Sequence, residues 1–175
     1  SWLRSNIKDI NFQLYNYAQE NPDYNGMGTT LVCAIVYDKQ VVVANVGDSR
    51  AYVINQRQIE QITSDHSFVN NLVITGQITK EEAFNHPQRN IITKVMGTDK
   101  RVSPDLFVKR INFYDFLLLN TDGLTDYVRD YEIQEELNQD DTIEAHCERL
   151  MRLAMSHDSQ DNVSFILSSI DGDKV

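Results

Sequence analysis

A chain of 175 residues with 41% apolar content is long enough for one domain that buries roughly 70% of the surface of its unfolded form, which excludes a disordered chain. No apolar run approaches the ~20 residues of a membrane span. A net charge of −10 with no Lys/Arg cluster argues against nucleic acid, whose phosphates are bound chiefly by clustered cations.

In chain order, Leu3, Ile7, Ile10, Leu14 and Ala18 recur at three- and four-residue spacing and predict an amphipathic helix over about residues 2–20, ended by Asn21-Pro22. The β-branched stretch 29–37, the turn Asp38-Lys39 and residues 40–46 predict a hairpin. Residues 50–54 and 58–62 are expected to continue it as an antiparallel meander. Thr79 with Glu82 forms a capping box for a short helix through Phe84. Residues 106–111 and 115–120 are strand-like, and 142–157 carries a helical stripe at Ile143, Cys147, Leu150 and Ala154. Strands linked by hairpins favour mixed or antiparallel sheets with helices packed outside over a doubly wound parallel sheet.

Cys33, in a predicted strand, and Cys147, on the apolar side of a predicted helix, read as buried thiols of a reducing cytoplasm. Residues 122–148 hold ten acidic side chains against one basic one, Arg129, and read as a solvated acidic face. His66 and His86 are expected to bond loop backbone, and His146 and His157 to lie at the surface. None has zinc-like spacing.

Two carboxylates stand apart. Asp122-Gly123 follows the apolar run Phe116-Leu117-Leu118-Leu119, and Asp161-Asn162 precedes Val163-Ser164-Phe165-Ile166-Leu167. Each places a hard oxygen donor at the end of a predicted buried strand, held rigidly yet open to solvent, which suits Mg²⁺ or Mn²⁺. Neither cysteine lies in the Gly-rich, Arg-ended loop that would cradle phosphate around a thiolate.

Several short strings occur in one order: Gly26-Met27-Gly28-Thr29-Thr30, Val46-Gly47-Asp48-Ser49-Arg50-Ala51-Tyr52, Thr63 with Asp65-His66-Ser67, Asp122-Gly123-Leu124-Thr125-Asp126, and Asp161-Asn162-Val163-Ser164. Together they resemble the metal-dependent protein phosphatases of the 2C type, in particular their compact bacterial members. The stretch 68–97, with Gly76, Ile78-Thr79, Glu82-Ala83, His86-Pro87 and Asn90-Ile91-Ile92-Thr93, resembles the bacterial flap, a subdomain of about residues 66–97. The resemblance covers essentially the whole chain and implies an α+β fold, a sandwich of two antiparallel β-sheets flanked by helices.

The implied chemistry is hydrolysis of phosphoserine and phosphothreonine in proteins by a water bridging two Mn²⁺ or Mg²⁺ ions, counteracting a serine/threonine kinase and acting on its targets in the cytoplasm. By the same resemblance Asp122 and Asp161 match ligands of the catalytic pair, and Asp48 a ligand of a third, weaker ion. Gly123, Ser49 and Asn162, which supports the Asp161 turn, are supporting residues; Phe68, His86 and Asn90 belong to the flap, which is expected to gate or select phosphoprotein substrates. Lys94 stands where relatives often carry Arg, whose planar fork it lacks.

Family members begin with roughly 60 to 70 residues ahead of the first helix seen here. These supply a phosphate-binding Arg, an acid His, an early acidic ligand and an Asp-Gly-Met-Gly-Gly-His type segment. With none of these present and Ser1 in place of an initiator Met, the chain is expected to be a fragment, poorly active alone and open to strand exchange with a neighbour. The alternative is a non-catalytic, phosphatase-like module that binds a partner through the flap or the acidic face. A Ca²⁺-binding module gains little, because the Asp residues form no loop of EF-hand spacing.

Overall fold

The computed structural model describes residues 2–170. The chain divides into two compact units interleaved in sequence. One comprises residues 2–33, 44–49 and 64–107, the other residues 34–43, 50–63 and 108–170.

In the first unit α1 (Trp2–Glu20) buries Ile7, Asn11 and Ala18. Leu3 and Leu14 join Ile7 against Ala44, Val46, Met96 and Val102. The apolar stripe therefore passes through Asn11 and not through Ile10, which is 54% exposed. A polar residue can hold that place because its amide is satisfied: Asn11 Nδ2 donates to the Asp99 carbonyl at 3.0 Å and its Oδ1 accepts from Gly97 N–H at 2.9 Å. The same unit contains α2 (Phe68–Ile74) and α3 (Lys80–Phe84). Thr79 and Glu82 cap α3 reciprocally, as the sequence predicts.

Among the described residues, seven strands form two sheets. β1 (Leu31–Tyr37), β2 (Gln40–Val46) and β5 (Asp105–Arg110) make a three-stranded sheet in the order β1-β2-β5. β3 (Arg50–Ile54), β4 (Ile59–Gln61), β6 (Phe116–Asn120) and β7 (Phe165–Ser169) make a four-stranded sheet in the order β4-β3-β6-β7, antiparallel throughout. The expected single meander is thus corrected. β2 and β3 belong to different sheets, and the chain changes sheet across Gly47, Asp48 and Ser49, a break that alternation of apolar residues does not reveal.

The second unit has its own core. Tyr52, Ile54 and Leu118 on the sheet pack with Leu124, Val128, Ile133, Leu137, Leu150 and Ala154, contributed by α4 (Asp122–Thr125), the turn after it, α5 (Asp130–Leu137) and α6 (Ile143–Ser156). Residues 122–148 are therefore more than a solvated face. The acidic residues mask the helical spacing of Ile133 and Leu137, while Asp130 and Glu132 stabilise the N-terminus of α5 through its dipole. His146 is also corrected: expected at the surface, it is 1% exposed. It shares the buried side of α6 with Leu150 and Ala154, presents Nδ1 to the Glu136 carbonyl at 3.0 Å and meets the Phe116 ring edge-on. Cys33 and Cys147 are free and half-buried, and burial pushes both thiols up.

Leu118 is fully buried on the strand paired on both sides. Leu118→Ala should cost about 2–5 kcal/mol, read as a lowered urea midpoint with little change in slope.

Candidate metal centre

The pairing Asn120↔Phe165 at the end of β6 and the start of β7 lays the two Asp-containing turns side by side. Thr121 fastens them. Its N–H donates to the Ser164 carbonyl at 3.0 Å, its Oγ1 accepts from Ser164 N–H at 3.2 Å, and its hydroxyl lies 3.3 Å from the carbonyls of Asn162 and Ser164. Ser159 Oγ donates to the Gly123 carbonyl at 2.9 Å. Gly123 is buried against the Asn162 peptide: a Cβ there would lie 2.9 Å from the Asn162 carbonyl carbon and closer still to its oxygen. A side chain would force the turns apart.

On these turns Asp122 begins α4, and Asp161 curls back so that its Oδ1 accepts from Asn162 N–H at 2.7 Å. Burial raises the Asp122 carboxyl, and the Asp161 charge raises it further. The Gly123 and Asp122 N–H groups and the Arg50 guanidinium oppose both effects without overcoming them. Two carboxylates whose charges repel, one of them partly desolvated, attract a divalent cation that relieves the repulsion. Among the described residues, no three or more His, Cys, Asp or Glu side chains converge as a metal-binding group. Asp122 and Asp161 still fit Mg²⁺ or Mn²⁺ chemically, because Mg²⁺ keeps several waters and is often bound through one or two carboxylates.

The other unit holds Asp48, which is 8% exposed. It follows Gly47, whose φ of +111° favours glycine and where a Cβ would collide with the Thr30 side chain. Ser49 Oγ and Thr30 Oγ1 share a hydrogen bond of 2.8 Å. In the same unit Phe68 and His86 pack ring against ring, with centroids 6.1 Å apart. Phe68 N–H donates to the Ile91 carbonyl at 2.8 Å, one residue beyond the exposed Asn90. As the sequence predicts, His86 and His66 bond loop backbone, through Gln88 N–H and Gly47 N–H respectively.

Sequence reasoning misses the residues that hold these turns. Asn45 and Asn120 are both buried. Asn45 Nδ2 donates to the Gly47 carbonyl, and Asn120 Nδ2 to the Thr121 carbonyl and Thr125 Oγ1. A polar residue near the end of an apolar strand, just before a turn, was the available signal.

Comparison with known proteins decides the family. The profile described as Protein phosphatase 2C matches residues 4–72. The crystal structure of serine/threonine phosphatase Stp1 from Staphylococcus aureus superposes with a TM-score of 0.96 at 75% identity, covering 98% of this chain and 67% of that one. The chain belongs to the protein phosphatase 2C family.

Serine/threonine phosphatase stp of Listeria monocytogenes is 42% identical to this phosphatase 2C chain over 167 residues, 95% of the chain and 66% of the relative. The chain thus spans just under two thirds of that relative's length. The catalytic domain of the serine/threonine protein phosphatase PstP, solved in complex with 2 manganese ions, superposes with a TM-score of 0.86 at 30% identity, covering 97% of this chain and 70% of that one. Family membership agrees with the α+β fold of two sheets with helices, and the manganese complex agrees with a metal-dependent family.

Proposed function

We propose that the protein carrying this chain is a metal-dependent serine/threonine protein phosphatase that hydrolyses phosphoserine and phosphothreonine in proteins, opposing a protein kinase in the cytoplasm. The observation that carries this reading is the pair Asp122 and Asp161 on two turns pinned together by Thr121, Ser159 and Gly123. Divalent ions bound there, Mn²⁺ or Mg²⁺, would supply neutralisation of the phosphate charge and activation of a water for in-line attack.

The residues of the chain have separate tasks. Asp122 and Asp161 would hold the ions, and their fixed turns would limit where a phosphate can sit. Without that counter-charge both carboxylates would repel a dianionic monoester. Arg50 faces Asp122 electrostatically and tempers its field. Asp48, with Ser49 beside it, would hold a third, weaker ion. Phe68, His86 and Asn90 stand on the flap that selects phosphoprotein substrates.

A second reading draws on one observation, that no group of three metal-ligating side chains converges among the described residues. It makes the chain a phosphatase-like module that binds a partner without turnover.

Hydrolysis of a phosphothreonine peptide with Mn²⁺ or Mg²⁺, by this chain and by the full-length protein, separates the two. Turnover in the full-length protein that stops on adding chelator is the expected result. No turnover and no metal binding in either form would support the binding module.

A further inference from the structure

We propose that His66 is a positioning residue for Asp48: its main chain and ring grip the preceding peptide, Gly47, at both N–H and C=O, and Asp105 holds the ring in the tautomer that allows it. The inference rests on the reading of Asp48 as a metal ligand. Gly47 N–H donates to His66 Nδ1 at 2.9 Å, and His66 N–H donates to the Gly47 carbonyl at 3.0 Å. Asn45 Nδ2 adds a second donor to that carbonyl at 3.1 Å. Glycine reaches this φ of +111° without strain and has many other conformations open to it, so these hydrogen bonds, rather than sterics, select the one seen. Asp48 is nearly buried, and the Gly47 carbonyl that His66 and Asn45 hold belongs to the peptide that leads into its Cα.

The tautomer follows from the donors. Since Nδ1 accepts from a backbone N–H, a neutral ring carries its proton on Nε2. Nε2 lies 3.1 Å from Asp105 Oδ2, where the proton is donated. Lys94 Nζ, 2.9 Å from Nε2, is a competing donor to that nitrogen, and it also donates to Asp105 Oδ1 at 3.2 Å and the Ser103 carbonyl at 3.4 Å. Burial alone would raise the Asp105 carboxyl; the hydrogen bonds from His66 and Lys94 prevail and lower it. Asp105 thus stays an acceptor, and an acceptor opposite Nε2 keeps Nδ1 bare for Gly47. His66 is fixed from a third side by Thr93 N–H, which donates to its carbonyl at 2.7 Å.

Two substitutions in the full-length protein divide the ring's bonds. His66→Asn keeps an acceptor near the Nδ1 position and gives up Asp105; His66→Gln reaches toward Asp105 and gives up the Gly47 N–H. Hydrogen exchange of the Gly47 amide in chelator, where no metal acts, should accelerate about tenfold in His66→Gln, the equivalent of one net hydrogen bond, and much less in His66→Asn. Mn²⁺ titration should then show the weakest site loosened about 10–100-fold in His66→Gln and largely rescued in His66→Asn. Equal Gly47 exchange in the two variants, or wild-type exchange in His66→Gln, overturns the proposal. Asp48→Asn tells the two levels apart. If it leaves Mn²⁺ binding unchanged, Asp48 is not a ligand and the reading beneath the proposal fails. If it weakens binding while His66→Gln does not, the ligand stands and the positioning role fails.

Discussion

Asp122→Asn should remove more than about 100-fold of the metal-dependent turnover of the full-length protein, since even residues that only orient metal ligands cost about 10–100-fold. In chelator the same variant should be at least as stable as the wild type. Burial and the neighbouring Asp161 raise the Asp122 carboxyl in the folded chain, so its ionisation opposes folding. The sign follows from linkage: a carboxyl with a raised folded pKa contributes stability that is fully present below its unfolded value of about 3.9 and is lost as pH rises through the folded value. The metal-free wild type should therefore fall behind Asp122→Asn as pH increases across that window and stay behind at neutral pH. Urea unfolding of both proteins in chelator at several pH values, beside turnover with Mn²⁺, checks both halves. A variant that loses turnover and is also less stable in chelator at neutral pH would show Asp122 to be structural rather than a charge held in place for a cation.

Gly123→Ala carries the second large effect, and it acts through contact. An added methyl would meet the Asn162 carbonyl carbon at 2.9 Å and its oxygen more closely, and backbone cannot swing aside as a flexible side chain can. The cost should be about 1–3 kcal/mol of stability. A displacement of about 1 Å between the two Asp turns should lower turnover about 100-fold. Gly76→Ala is the control. Its φ is +71° with nothing within 4 Å of the added Cβ, so it should cost about 1 kcal/mol through backbone strain while leaving the Asp122 and Asp161 turns untouched. Thermal melting and Mn²⁺ titration of both variants decide the matter. Wild-type metal affinity in Gly123→Ala would mean that the turns do not depend on their close contact.

What was legible in the sequence follows from how locally each feature is determined. The long helix, the capping box at Thr79 and Glu82 and the stripe of α6 depend on neighbours three or four residues away, and all were visible. Asp122 was visible beside the apolar run of the buried strand β6, whereas the run after Asp161 is corrected: β7 lies at the edge of its sheet with Ile166 66% exposed and is not the buried strand expected. The change of sheet across Gly47, Asp48 and Ser49 was not visible, since β2 and β3 are both apolar strands and only their distant partners tell them apart. Asn11 and His146 were misjudged for a related reason. A polar residue enters a core when something remote satisfies it, here the Gly97 and Asp99 backbone for Asn11 and the Glu136 carbonyl for His146.

The order of pairing in the four-stranded sheet also governs how the chain reaches its folded state. Arg50 must find Asn120, and Phe116 must find Ser169, so β6 cannot zip with either neighbour until long loops have closed. Sheets made from such distant partners fold slowly, in milliseconds to seconds rather than microseconds. Asp122 and Asp161 meet only once β7 has docked on β6. A cation held between them would stabilise the docked pair of strands against opening.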